Sequence, residues 1–165
     1  MAGENGQVSD DIGELIARLE AQERRLVFRR FDNADAWALG CLLVDVATAR
    51  DLPVAVDVRR GRQQLFHAAL PGATADNDAW IRRKVRVVQR YEASSYLVGR
   101  RLAAKGQVLD AALGVDRARF AAHGGAFPVR VAGVGVVGVI TVSGLPQADD
   151  HALVVEAIEA HLGGA

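Results

Sequence analysis

Arg82 and Arg83 stand two and three places after Trp80, with Asp76-Asn77-Asp78 just upstream. A guanidinium can hold a carboxylate or phosphate through two parallel N–H bonds, so this arginine pair reads as an anion pocket. His123-Gly124-Gly125 offers a second feature of the same kind, because a glycine turn can aim backbone N–H groups at an anion. No nucleophile elbow accompanies it. Ser143 sits in Thr-Val-Ser-Gly-Leu, which lacks the first glycine of G-x-S-x-G, and a serine hydrolase is disfavoured.

Gly133-Val-Gly135-Val-Val-Gly138 matches the G-x-G-x-x-G spacing that cradles a pyrophosphate, but that chemistry needs a helix opening directly after the glycines. Val139-Ile-Thr-Val comes next instead, which is a strand pattern. The glycines therefore predict a hairpin turn and a point where another backbone packs closely. The four histidines, His67, His123, His151 and His161, show no i, i+4 pairing and no carboxylate spacing that completes a zinc or facial-triad set. No metal site is expected from them, and each has a structural role as its default; no residue is assigned to catalysis.

In the chain as a whole, 20 Lys+Arg balance 20 Asp+Glu in 165 residues, half of which are hydrophobic. A neutral chain lacks the cationic footprint of a nucleic-acid or anionic-membrane binder, so neither partner is expected. The length suits one domain, here 10–163, behind a flexible tail over 1–9. Cys41 is the only cysteine, which excludes an internal disulfide and suits a reducing cytosol. The polar, acidic opening is unlike a signal peptide, and Val131–Val142, the most apolar run, falls short of the ~20 residues a membrane helix needs. Charge is segregated: Arg82 to Lys105 holds eight cations and one acid, Glu92, whereas four acids and no Lys or Arg lie beyond Gly144. A basic and an acidic helix could pair, within one subunit or between two.

Apolar spacing sets the elements that must carry these residues. Ile12, Leu15, Ile16 and Leu19 form one helical stripe after Ser9, a candidate cap. Leu26–Phe31 reads as a strand. Asp32-Asn33 opens a helix over Ala34–Arg50, read as the central buried helix with Trp37 sealed inside. Val54–Val58 and Gln63–Leu70 form one hairpin, and Phe127–Val131 with Val136–Val142 a second. Between them lies a helix from Asp76 with Ile81, Val85 and Val88 on one side, then an ambiguous stretch over Leu109–Ala122. A last helix runs from Pro146 to Leu162. The class is α+β, with five strands in a largely antiparallel sheet flanked by helices.

Three separated motifs add to this reading. They are Leu70-Pro71-Gly72 with Asp76-Asn77-Asp78-Ala79-Trp80-Ile81-Arg82-Arg83-Lys84, then His123-Gly124-Gly125-Ala126-Phe127-Pro128, and the stretch from Gly138 through Ser143-Gly144-Leu145-Pro146-Gln147 to His151. In that order the chain resembles the UPF branch of the HbpS/GlcG/PduO-C superfamily, the haem-degrading-domain-like proteins, over roughly Asp10 to Leu162. The resemblance implies a profilin-like α/β fold with a five-stranded antiparallel sheet and assembly into homo-oligomers. Some relatives bind haem or a corrinoid-pathway cofactor, with a histidine of the N-terminal helix as haem ligand in one branch. Asp11–Glu23 contains no histidine here, and Met1 is the only methionine.

The leading expectation is a cytosolic, homo-oligomeric small-ligand-binding or accessory domain of unassigned activity. Polar residues of the motif segments would line its pocket: Asn77, Asp78, Trp80, Arg82, Arg83, His123, Gly124 and Ser143. Arg82 and Arg83 would hold an anionic group, Trp80 would form an apolar wall, and Gly124 would donate its backbone N–H. Two alternatives stand beside it. One is a haem or tetrapyrrole protein with His67 or His123 as axial ligand; the other is an oligomeric adaptor assembled by pairing Arg86 and Arg90 with Glu156 and Glu159.

Overall fold

The structure, a computed structural model, describes the backbone of residues 3–164 and the side chains of residues 11–164. Helix α1 spans Gly3–Arg25. The tail expected over 1–9 thus falls partly on residues 1–2, outside the described residues, and partly on the first turns of α1. Helix α2, Asn33–Ala49, starts where the sequence signals it. Asp32 Oδ1 accepts from the N–H groups of Ala34 and Asp35, and Asp35 Oδ2 accepts from that of Asp32, a reciprocal capping box.

Four strands form one antiparallel sheet: β1 Ala55–Arg60, β2 Gln63–Ala69, β3 Ala126–Val131 and β4 Gly135–Ser143, in the order β2-β1-β4-β3. The two predicted hairpins therefore lie side by side, joined along β1 and β4 with Val56 opposite Val142. The fifth strand does not form. Leu26–Phe31 makes one isolated parallel bridge, Phe28 to Val131, with Phe28 N–H donating to Arg130 O and Phe28 O accepting from Ala132 N–H. The cap at Asp32 turns the chain into α2 too soon for a ladder to extend. Leu26, Phe28 and Phe31 serve the core as anchors instead.

Alternation along the strands sends side chains to two layers. Val54, Val56, Val58, Val129, Ile140 and Val142 pack with α2 and with α5, Gln147–Gly163. Ala55, Ala126 and Val139 pack on the opposite face against Ile81, Val85 and Val88 of α3, Ala75–Tyr91. A satellite core joins α1, α3 and α4, Ser95–Ala104, through Leu19, Val87, Leu97 and Val98. Trp37 departs from expectation: it is 64% exposed, with its ring T-shaped to that of Phe66 at 5.6 Å between centroids. The buried stripe of α2 is Ala36, Leu39, Gly40, Leu43 and Ala47, and Trp37 lies beside it.

The glycine motif forms the hairpin turn that its sequence predicts. Gly133 and Gly135 have positive φ in the β3–β4 turn, and a Cβ on Gly138 would lie 2.2 Å from Arg59 O of the neighbouring strand. The chain continues as β4 and not as a helix, so no pyrophosphate cradle exists there.

Leu109–Ala122 is mostly irregular, with one 3₁₀ turn at Ala111–Leu113. The basic face of α3 holds it down. Arg83, Arg86 and Arg90 donate to the carbonyls of Arg117, Arg119 and, for Arg90, both Leu113 and Gly114. The segregated charges mostly satisfy other groups: Glu156 pairs with Arg50, Glu159 with Arg25 and Arg101 with Glu20. Arg86 and Arg90 therefore have carbonyl partners, and Glu156 and Glu159 have arginine partners, inside one chain. Among the described residues no helix is long and apolar enough to cross a membrane.

Candidate functional site

One ion pair does link the basic helix to the acidic one. Lys84 occupies the apolar stripe of α3 with Ile81, Val85 and Val88, and Asp150 occupies that of α5 with Leu153, Val154, Ala157 and Ile158. Both are buried, and Lys84 Nζ lies 2.9 Å from Asp150 Oδ2. Nζ also donates to Val142 O at 3.2 Å, and Asp150 Oδ1 accepts from Leu145 N–H at 3.0 Å. Burial pulls the Lys84 ammonium below its ordinary pKa and pushes the Asp150 carboxyl above its own, while their mutual attraction opposes both shifts.

Gly125 makes room for this pair. Its φ is +127°, and a Cβ there would lie 2.3 Å from Val142 O and 2.7 Å from Lys84 Nζ. Gly125→Ala is expected to cost at least the ~1–3 kcal/mol of such backbone strain, read as a lower urea midpoint. An unchanged midpoint would contradict this packing.

Above the pair opens a cleft of about 310 Å³ lined by Asn77, Trp80, His123, Ser143 and Gln147, with Asp76 at its rim. The Trp80 ring stands edge-on to His123, 5.1 Å between centroids at 73°, and its Nε1–H donates to Asp76 Oδ2. His123 and Gln147 also line a second cleft of about 220 Å³, whose polar wall carries Arg83, Arg100 and Arg117. His123 thus divides two openings. Burial first, then the charges of Lys84, Arg83 and Arg100, hold its imidazole below the ordinary pKa, so the ring is neutral near pH 7. Among the described residues no hydrogen bond engages either of its ring nitrogens.

The structure gathers four of the other sequence-predicted residues around His123 and sends two, Arg82 and Asp78, elsewhere. Asn77, Trp80, His123 and Ser143 line the first cleft, and Arg83 stacks on Trp80, 4.5 Å above the ring, while lining the second. Gly124 is adjacent, but its N–H donates to Gln147 Oε1 at 3.3 Å, which corrects its role as an open donor. Arg82 and Asp78 face elsewhere. They line a polar cleft with Asp57, Arg59 and His67, where His67 Nε2 lies 2.8 Å from Asp78 Oδ1. Consecutive helical residues diverge by about 100°, so Arg82 and Arg83 cannot share one anion.

Lys84, Asp150, Gln147, Arg100 and Arg117 complete the site, and none of them was expected there. A charge on an apolar stripe was a usable signal for Lys84 and Asp150. Arg100 and Arg117 gave none, since their meeting depends on the path of the irregular segment. A larger cavity, about 490 Å³, lies between α1 and α4, and several of its charged groups are internally engaged. There Arg101 pairs with Glu20, Glu23 accepts from Ser94 N–H, and Arg130 donates to Glu92 O. Among the described residues no cluster of three or more His, Cys, Asp or Glu side chains is disposed to hold a metal ion.

Known proteins share both the sequence pattern and the fold. A family model described as haem degrading protein HbpS-like matches residues 31–159. A UPF0303 protein of Streptomyces coelicolor is 64% identical over 148 residues, covering 90% of this chain and 94% of the relative. The crystal structure of Ybr137w protein superposes with a TM-score of 0.85 at 25% identity, covering 100% of this chain and 99% of that one. The PduOC:heme complex shares the fold, with a TM-score of 0.67 at 17% identity over 79% of this chain and 94% of its own.

Proposed function

We propose that this chain, which belongs to the haem degrading protein HbpS-like family through its UPF0303 branch, is a small-ligand-binding domain that takes an anionic molecule against the Trp80–His123 wall. The reading includes a profilin-like topology, a cytosolic setting and assembly into homo-oligomers, in keeping with the resemblance of its motifs. One observation carries the binding role: a neutral, unengaged imidazole stands between two clefts under the field of three cations. A rigid indole edge supports it, and the buried Lys84–Asp150 pair fixes the floor. The first cleft lies at the lower end of the ~300–1,000 Å³ usual for small-molecule sites, which favours a compact ligand.

Trp80 supplies the test, because Trp37 is the one other tryptophan and can be removed by Trp37→Phe. Titrating that variant with short carboxylates, phosphates and their neutral amides should give a saturable emission change with at least one anion, weakened at least tenfold by His123→Ala. Emission that stays flat across the set to millimolar concentrations would refute the reading.

The family description and the heme-bound neighbour favour a second reading, haem or tetrapyrrole binding. His67 is held by Asp78 and His151 is buried, whereas His123 presents a neutral ring to an open cleft. Neutral imidazole is the form that ligates iron. Haemin should then give a stoichiometric Soret shift that His123→Ala removes and His67→Ala leaves. Absence of such a shift would end this alternative.

A further inference from the structure

We infer that the smaller cleft beside His123 is the subsite for the ligand's acid group, and that the ligand is a carboxylate or phosphate ester carried on an apolar body. This rests on the ligand-binding reading above and names the side of His123 that takes the acid group. Three arginines, Arg83, Arg100 and Arg117, line that cleft, and among the described residues no Asp or Glu does. Among the described residues no carboxylate pairs with any of the three, so the wall suits an external anion. The first cleft has the opposite balance, with Asp76 and Asp150 against Lys84, so an anion is better placed across His123 from it.

The arginines are also oriented for this use. The Arg83 guanidinium carbon lies over the Trp80 ring, 4.5 Å from its centroid, and that of Arg100 over Tyr96 at 5.4 Å. A guanidinium seated over a ring keeps N–H groups for an acceptor; one terminal nitrogen of Arg83 already donates to Arg117 O, and its remaining N–H groups and those of Arg100 have no acceptor among the described residues. The Nε atoms of both arginines are buried and have no hydrogen-bond partner among the described residues. A buried donor without an acceptor is costly, so a small side-chain shift that brings either Nε–H to a bound oxyanion is favoured. Opposite them, Leu102, Leu109 and Phe120 present an apolar wall, which suits an alkyl or aryl body and disfavours inorganic phosphate alone.

The test uses the full chain and isothermal titration with hexanoate, hexyl phosphate, hexanamide and inorganic phosphate. At least one hexyl anion should bind saturably, at least tenfold tighter than hexanamide and than inorganic phosphate. Arg100→Gln should weaken it tenfold or more, whereas Arg62→Gln, in the exposed β1–β2 turn, should leave it unchanged. Whichever hexyl anion binds tighter identifies the acid. If a hexyl anion binds but Arg100→Gln has no effect while Ser143→Ala abolishes binding, the subsite is wrong and the ligand-binding reading stands. If hexanamide matches the anions, the charge argument is overturned. Should none of the four compounds bind, both the subsite and the reading above it fall.

Discussion

Lys84→Met should destabilise the fold by about 3–5 kcal/mol in urea unfolding near pH 7, the usual consequence of stranding one charge of a buried pair. Asp150 would keep its contact with Leu145 N–H but lose the ammonium at 2.9 Å, in a site where burial already raises its carboxyl pKa. The double variant Lys84→Met/Asp150→Leu removes both charges and should recover much of that loss, giving a coupling of about 2 kcal/mol or more. Additive losses would mean that the two side chains do not act as a pair. The deficit of Lys84→Met should also shrink on acidification. A carboxyl whose folded pKa is raised binds its proton more readily folded than unfolded, so stability falls as pH rises and returns as pH drops.

Acid should unfold the protein largely through His151. The ring is buried between Tyr96 and Phe127, 5.1 and 5.8 Å away by centroid, and its Nε2 donates to Gln22 Oε1. Nδ1 is buried without a partner among the described residues, so a second proton has nowhere to bond. Burial lowers its pKa from the ordinary value near 6.5 to about 4. Because the folded pKa is depressed, the unfolded chain takes the proton first, and stability is lost as pH falls from about 6.5 toward 4. A gap of that size amounts to about 3 kcal/mol. His123, also lowered, acts in the same direction, whereas the raised carboxyls of Glu23 and Asp150 act in the opposite one. His151→Leu isolates this contribution: the variant should lose most of the slope in that window. An unchanged slope would place the acid sensitivity elsewhere.

Much of this architecture is written in short-range patterns. Period-two runs around Arg59–Gly61 and Val131–Gly135 specify both hairpins, and Asp32 specifies the start of α2. The strand pattern directly after Gly138 excludes a dinucleotide cradle, which would need a helix there. The missing fifth strand was not legible, because whether Leu26–Phe31 pairs depends on how soon α2 must begin. Trp37 misleads for a related reason: bulk and apolarity suggest burial, but its angular place beside the Ala36–Ala47 stripe leaves it outside.

The site was half legible. Trp80 and His123 stood out by type, and the structure brings them within 5.1 Å. The adjacent arginines suggested joint anion capture, which a helix forbids by turning Arg82 toward His67 and Arg83 toward His123. Lys84 and Asp150 could have been found by asking why a charge occupies an apolar stripe. Arg100 and Arg117 belong to different segments, and their convergence comes only with the fold of Leu109–Ala122.

The site is tested most directly by mapping amide and side-chain NMR shifts of the isotopically labelled chain during titration with hexanoate or hexyl phosphate, whichever binds. The largest shifts should fall on the Trp80 indole N–H, the His123 ring and the Nε–H groups of Arg83 and Arg100. Shifts concentrated instead around Glu20, Glu23 and Arg130, in the larger cavity beside α1, would contradict the assignment of the ligand to His123.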